Sequence, residues 1–183
     1  MPHIMEKVII ITENGPYIVR GGVPLIEKRI THTSEGWQWA EGRDLPQKEV
    51  YALCRCGKSK DAPFCDGTSH KRFKGQETAD RRTYAERADR LEGPGLTVLD
   101  DRRCSKSYFC HTKTGSTWEM LPRTDDPDIK ARAVKACLDC PSGRTVPVDK
   151  DGTVLEEELP QQITVVQHSY DRVCSGIYVT GGI

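Results

Sequence analysis

Long hydrophobic runs are missing from this sequence. The most apolar run, Val8–Ile11, has the length of a strand, far below the ~18 continuous apolar residues of a bilayer-spanning helix. No apolar stretch near the N-terminus leads into a small-residue cleavage site, so a soluble, cytoplasmic protein is expected. An excess of one charge is missing too, because 27 Lys and Arg offset 27 Asp and Glu. That balance gives no drive toward nucleic acid or anionic membrane, and neither is expected as a partner. Apolar side chains are scarce: 36% of residues are hydrophobic and 30% are charged. Such a chain of 183 residues is thin for one large core but adequate for two small modules held by staples. No nucleophile–base constellation and no phosphate loop is visible, so an enzyme is not expected.

Cysteine, in contrast, is plentiful, with eight residues. A reducing compartment disfavours disulfides, so clustered cysteines there point to metal binding or redox chemistry. Seven of the eight form three groups: Cys54, Cys56 and Cys65; Cys104 and Cys110; Cys137 and Cys140. Cys174 stands alone, reads as a free thiol in a strand, and is assigned no role.

The fold class reads as α+β, with a small β-rich module followed by an α+β module. Lys7–Thr12 and Tyr17–Val19 are β-branched or apolar around a Glu-Asn-Gly-Pro turn. Val23–Ile30 alternates weakly, and the short strand Val50–Leu53 runs straight into Cys54. Residues 1–76 form the first module and the charged stretch 77–87 a linker. Residues 88–160 form the second module. There, Ala88–Glu92 and Leu96–Leu99 flank Gly-Pro-Gly as a hairpin. A helix is expected from Asp126 to Leu138, with Asp126 as N-cap and Pro127 at the first helical position. Ile129, Ala133, Ala136 and Cys137 share one face of it. Two short strands are expected around Lys150-Asp151-Gly152. Residues 161–183 form a C-terminal β segment. Its Gly176-Ile177-Tyr178-Val179-Thr180-Gly181-Gly182-Ile183 repeats the pattern of residues 14–23. That repeat is either chance or a sign that the tail returns to the first module.

The densest chemistry runs from Cys54 to His70. Cys54 and Cys56 flank Arg55, so on an extended chain both thiols face one side and can serve one iron of a 2Fe-2S cluster. Gly57 lets the chain turn at once. Cys65 and His70 are then the pair for the second iron. Pro63 suits the start of a short helix with Asp66 as a local cap, and its N–H groups would favour an anionic cluster. One neutral imidazole in place of a thiolate is expected to raise the potential above that of an all-cysteine cluster. It also makes cluster retention depend on pH. Three cysteines and a histidine equally suit a structural zinc ion, although Cys-x-Cys is tighter than usual zinc spacing.

Cys54, Cys56, Ser59, Pro63, Cys65, Asp66 and Gly67 resemble the CDGSH iron–sulfur domain of the NEET proteins. The upstream Gly15-Pro16-Tyr17-Ile18-Val19-Arg20-Gly21-Gly22-Val23-Pro24-Leu25 resembles the strand that precedes this motif in prokaryotic members. The resemblance implies a 2Fe-2S cofactor, redox or apo-protein partners and, for chains with one such motif, a homodimer. One spacing departs from the family pattern. Its histidine is usually the fourth residue after the last cysteine, whereas His70 is the fifth.

The second group reads Cys104-x5-Cys110, with Ser107 where a ferredoxin would place its middle cysteine, and a remote Cys140-Pro141. With the 88–99 hairpin, these residues resemble the divergent single-cluster ferredoxin domain. That resemblance implies a second cluster held by Cys104, Cys110 and Cys140, as 3Fe-4S, or as 4Fe-4S with Cys137 as a fourth ligand. Alternatively, Cys137 is a small apolar residue on a buried helix face. Cys137 and Cys140 also have the spacing of a thiol–disulfide pair, though a helix end disfavours thiolate. His111 packs or faces solvent. The charge runs Arg81-Arg82, Asp100–Arg103 and Glu156–Glu158 read as solvated faces. Together these features point to an iron–sulfur protein of electron or cluster transfer. The alternatives are a redox component using Cys137 and Cys140, or a zinc-stapled interaction module.

Overall fold

Apolar alternation in the first thirty residues, broken by turn-forming glycines, builds hairpins rather than helices. The computed structural model describes residues 6–68, 72–76, 80–168 and 174–183. Strands predominate, with a few helices, and none of the described helices is long and apolar enough to cross a membrane. The chain divides into two units. The first comprises Met1–Arg29, Ala40–Ala79 and Leu159–Ile183; the second comprises Ile30–Trp39 and Asp80–Glu158.

In the first unit, β1 (Val8–Ile11), β2 (Tyr17–Arg20) and β5 (Val50–Leu53) form an antiparallel sheet in the order β1-β2-β5. Strands β3 (Leu25–Thr33) and β4 (Gly36–Glu41) form a hairpin whose outer half belongs to the second unit. Strands β11 (Gln162–His168) and β12 (Cys174–Thr180) line up as β12-β11-β3. Val19, Val23, Leu25, Tyr51, Leu53, Ile163 and Val165 make one buried cluster. The tail thus supplies core residues to the first unit.

The repeat in the sequence has a structural counterpart. Val8 pairs with Arg20 in one hairpin and Gln162 with Thr180 in the other. Each second strand then ends in two left-handed glycines, with φ of 86° and 62° at Gly21 and Gly22, and 74° and 67° at Gly181 and Gly182. A Cβ at Gly21 would lie 2.5 Å from the Glu6 carbonyl oxygen, and one at Gly181 would lie 2.5 Å from Gln161 N. Close backbone approach and positive φ together require glycine there.

In the second unit, β6 (Asp89–Glu92), β7 (Thr97–Asp100) and β10 (Thr145–Val148) form a sheet in the order β10-β7-β6. The tip of the β3–β4 hairpin meets β8 (His111–Thr112), with Gly36 opposite Thr112, and β8 pairs with β9 (Gly115–Ser116). Around Lys150–Gly152 the structure has one strand, β10, and a single bridge between Val148 and Val154. The turn bond from Asp149 N to the Thr153 carbonyl closes that loop at 2.8 Å.

Two single-turn helices, α1 (Tyr84–Arg87) and α2 (Thr117–Met120), each begin with a capping box. The long helix α3 spans Pro127–Leu138, and the Asp126 carboxylate accepts from Asp128 N and Ile129 N. Its Ala133, Ala136 and Cys137 are buried with Leu96, Val98, Met120 and Leu121. Asp100 and Asp101 are buried rather than solvated. Arg144 pairs with the first, Arg87 and Arg103 with the second. The Asp100–Arg103 run therefore departs from a solvated face, because a paired carboxylate can be buried.

Candidate metal centres

The first cysteine group sits where β5 runs into a tight loop. Cys54 N donates to the Pro63 carbonyl at 2.7 Å and Cys65 N to the Ala52 carbonyl at 2.9 Å, so both edges of the loop are tied to the sheet. No helix begins at Pro63 among the described residues. The Pro63 carbonyl and Cys65 N are spent on bridging β5 and its end instead, with Phe64 opposite Leu53. Asp66 still acts as a local cap. Its carboxylate accepts from Lys60 N at 2.8 Å, Thr68 N at 3.0 Å and Thr68 Oγ1 at 2.8 Å. Those bonds hold its pKa down at about 2. Ser59 Oγ donates to the Phe64 carbonyl at 2.6 Å and accepts from Asp61 N at 3.1 Å, closing the loop from within.

The thiol sulfurs of Cys54 and Cys56 lie 3.7 Å apart. Two thiolates about 2.3 Å from one tetrahedral metal would lie about 3.8 Å apart, so this pair fits a shared metal atom. Arg55, between them, donates to the Thr12 carbonyl at 3.2 Å and lies over the rings of Tyr17 and Phe73. Burial opposes ionisation of Cys54. Hydrogen bonds from the Ser59 backbone, the Cys56 side chain and the Gly57 and Lys58 backbones outweigh it, and the thiol lies below its ordinary range. Gly57, at φ 70°, gives the turn that aims these N–H groups at one sulfur. Successive N–H groups so arranged form the concave anion site used by many iron–sulfur centres.

Among the described residues, no three His, Cys, Asp or Glu side chains converge as on a single metal ion. The loop brings Cys54 and Cys56 together, with Cys65 held on the neighbouring backbone. His70 lies outside the described residues.

In the second unit, Cys104 is exposed, Cys110 and Cys140 are half-buried, and Cys137 is buried. Burial first, then the charges of Cys140 and Cys104, push the Cys110 thiol up. The loop carrying Cys104 contains three left-handed non-glycine residues, with φ of 64° at Arg102, 56° at Lys106 and 62° at Tyr108. Each such conformation costs about 1–2 kcal/mol, and strain of this kind gathers at functional sites. Its yield here is a turn in which Lys106 N donates to Cys104 Sγ at 3.2 Å. Ser107 is buried, and its hydroxyl accepts from Ser105 Oγ at 3.1 Å.

Burial pushes the Cys137 thiol up to about 12, and the side chain is part of the apolar cluster around Leu96 and Met120. It packs as a small apolar residue. Cys140, just past the helix, has its sulfur 3.3 Å from Ser142 Oγ. His111 is exposed, with its ring 6.0 Å from Tyr108 and 6.5 Å from Trp118. The sequence did not mark Arg144, whose guanidinium bonds both carboxylate oxygens of Asp100. The only signal was a cation four residues after Cys140.

Residues 14–71 match the family model described as an iron-binding zinc finger of CDGSH type. No curated protein and no solved structure matches the chain. The first cysteine group thus lies in an iron-binding CDGSH domain. The match ends before Cys104, and the second group rests on its geometry alone.

Proposed function

We propose that this chain is an electron carrier with two iron–sulfur centres. Cys54, Cys56, Cys65 and His70 hold a 2Fe-2S cluster. Cys104, Cys110 and Cys140 hold a second cluster, of 3Fe-4S type because Cys137 is engaged in the core. The observation that carries the reading is the Cys54–Cys56 pair. Its sulfurs are spaced for one metal atom, sit under backbone N–H groups, and lie inside the matched iron-binding stretch. A one-electron centre supplies reversible reduction, and two centres in one chain can relay charge. The protein's part is to present thiolates and to neutralise the added charge. Donation of the first cluster to an apo-protein is the companion role, since a neutral imidazole is a more labile ligand than a thiolate.

The second centre is supported by the strained 102–108 loop. Its three left-handed residues are strain of the kind that gathers at functional sites.

Anaerobic purification with iron and sulfide analysis, followed by EPR before and after reduction, tests both centres. A rhombic signal appearing on reduction and a separate signal in the oxidised protein are the expected result. Zinc without acid-labile sulfide would overturn the reading. His70→Cys should lower the potential of the first centre; an unchanged potential would remove His70 from the ligand set.

A further inference from the structure

A cavity of about 530 Å³ lies wholly within the second unit, and no cysteine lines it. One part of its wall is aromatic. Trp37 and Trp39 alternate along β4, so their side chains fall on one side of the strand, and Phe109 lines the cavity with them. The Trp39 and Phe109 rings are 4.9 Å apart. Trp37 is braced by Tyr108, stacked at 5.6 Å, and by His32, in a T-shaped contact at 4.9 Å. Both indoles are half-buried and both line the cavity, so part of each is left for a ligand to meet.

The rest of the wall carries cations. Arg132 and Lys135 share a face of α3, three residues apart, and Lys113 comes from the turn between β8 and β9. These charges are not fully matched. Lys113 pairs with Glu35 at 2.5 Å and Lys135 with Asp139 at 2.7 Å, and both carboxylates also line the cavity. Exposed lysine pairs of this kind are weak and exchange readily. Arg132 has no carboxylate partner among the described residues; its Nη1 donates to Thr114 Oγ1 at 2.6 Å. A guanidinium has five N–H donors, so most of those on Arg132 are left for a ligand. An aromatic face takes a planar ring by stacking. A guanidinium takes a phosphate through two parallel hydrogen bonds. The volume lies within the range of small-molecule sites.

We propose that this cavity is a binding site for a mononucleotide. The heteroaromatic ring stacks on the wall formed by Trp37 and Trp39, and the phosphate is held by Arg132, with Lys113 and Lys135 as supporting cations. The site stands independently of the proposed clusters. One unmatched cation, in a chain of zero net charge, suits a single phosphate. A nucleic-acid strand would need a longer basic track. Adenine and flavin mononucleotides share the required chemistry, and the test separates them.

Isothermal titration calorimetry on the purified full chain provides that test, with adenosine monophosphate, flavin mononucleotide, adenosine, riboflavin and inorganic phosphate as probes. At least one of the two nucleotides should bind saturably at one site per chain. Its nucleoside and inorganic phosphate should each bind about tenfold more weakly or worse. Arg132→Gln should cost about tenfold in nucleotide affinity and leave nucleoside affinity unchanged. Trp37→Leu should weaken nucleotide and nucleoside alike. If Trp37→Leu fails to fold, Arg132→Gln decides alone, since Arg132 is exposed and outside the buried cluster. Absence of saturable binding by either nucleotide would overturn the proposal. So would equal affinity for inorganic phosphate, nucleotide binding that Arg132→Gln leaves unchanged, or tighter binding of a single-stranded oligonucleotide than of either nucleotide.

Discussion

The sulfur of Cys54 lies 3.7 Å from the sulfur of Cys56, across a residue whose guanidinium is occupied elsewhere. That spacing fits two ligands of one metal atom, which the proposed reading makes one half of a centre. Cys56→Ser should therefore remove the iron and sulfide of one whole cluster, not a fraction of it. The second centre should be untouched. Metal and sulfide analysis of the purified variant checks this, and a full complement of iron would show that Cys56 is not a ligand.

Asp66 is the next lever. Its carboxylate accepts three hydrogen bonds that shape the loop between Lys60 and Thr68. Its pKa in the folded protein, about 2, is below the ordinary 3.8. A depressed carboxylate contributes stability above its unfolded pKa and loses it as pH falls toward the folded value. Asp66→Asn should release the first cluster several-fold faster than wild type, by a ratio that is constant from neutral pH down to about 4. Below that the two proteins should converge. Loss of the visible cluster absorbance, followed against pH, measures the ratio.

Cys137 should behave as core. Cys137→Ala should retain the iron and sulfide of both centres while losing about 1–2 kcal/mol of stability, the ordinary cost of a small buried truncation. Its thiol has a pKa raised from 9.0 to about 12. The neutral thiol's contribution is complete below the unfolded value and is lost as pH rises through the folded one. Alkaline unfolding of wild type should therefore steepen across that window, and Cys137→Ala should flatten it. Loss of the second cluster in Cys137→Ala would instead make Cys137 a ligand.

Ile163 tests the return of the tail. It is fully buried among Val19, Leu25 and Leu53. Ile163→Ala should destabilise the first unit by about 2–5 kcal/mol, read by denaturant unfolding. Val179→Ala, at a site 40% exposed in the neighbouring strand, should cost far less. Equal, small effects from both would detach residues 159–183 from that core.

Much of this was legible in the chain. Helix α3 announces itself through Asp126, Pro127 and the spacing of Ala133, Ala136 and Cys137, all local signals. The β6–β7 hairpin follows from Gly-Pro-Gly, and the Cys54–Cys56 pairing from simple alternation. What escaped depends on partners distant in sequence. Asp100 looks like a surface charge until Arg144 arrives from 44 residues away. Glu27 is likewise buried because Arg43 and Gln167 supply its hydrogen bonds. The helix expected at Pro63 failed for a similar reason, since β5 takes up the local backbone groups. Strand β4 carries Trp37 and Trp39 in alternation, a pattern present in the sequence but not drawn out.

The discontinuity of the first unit has a bearing on biosynthesis. Cys54, Cys56 and Cys65 leave the ribosome early, yet Ile163 and Val165, which close the core beneath them, come only after all of Asp80–Glu158. A nascent chain therefore carries an unfinished scaffold while the second unit is being made, and domains fold as units once their parts are present. On the proposed reading, metal loading at the first site would follow completion of the tail. A recombinant fragment cut to residues 14–71 would lack part of its own interior.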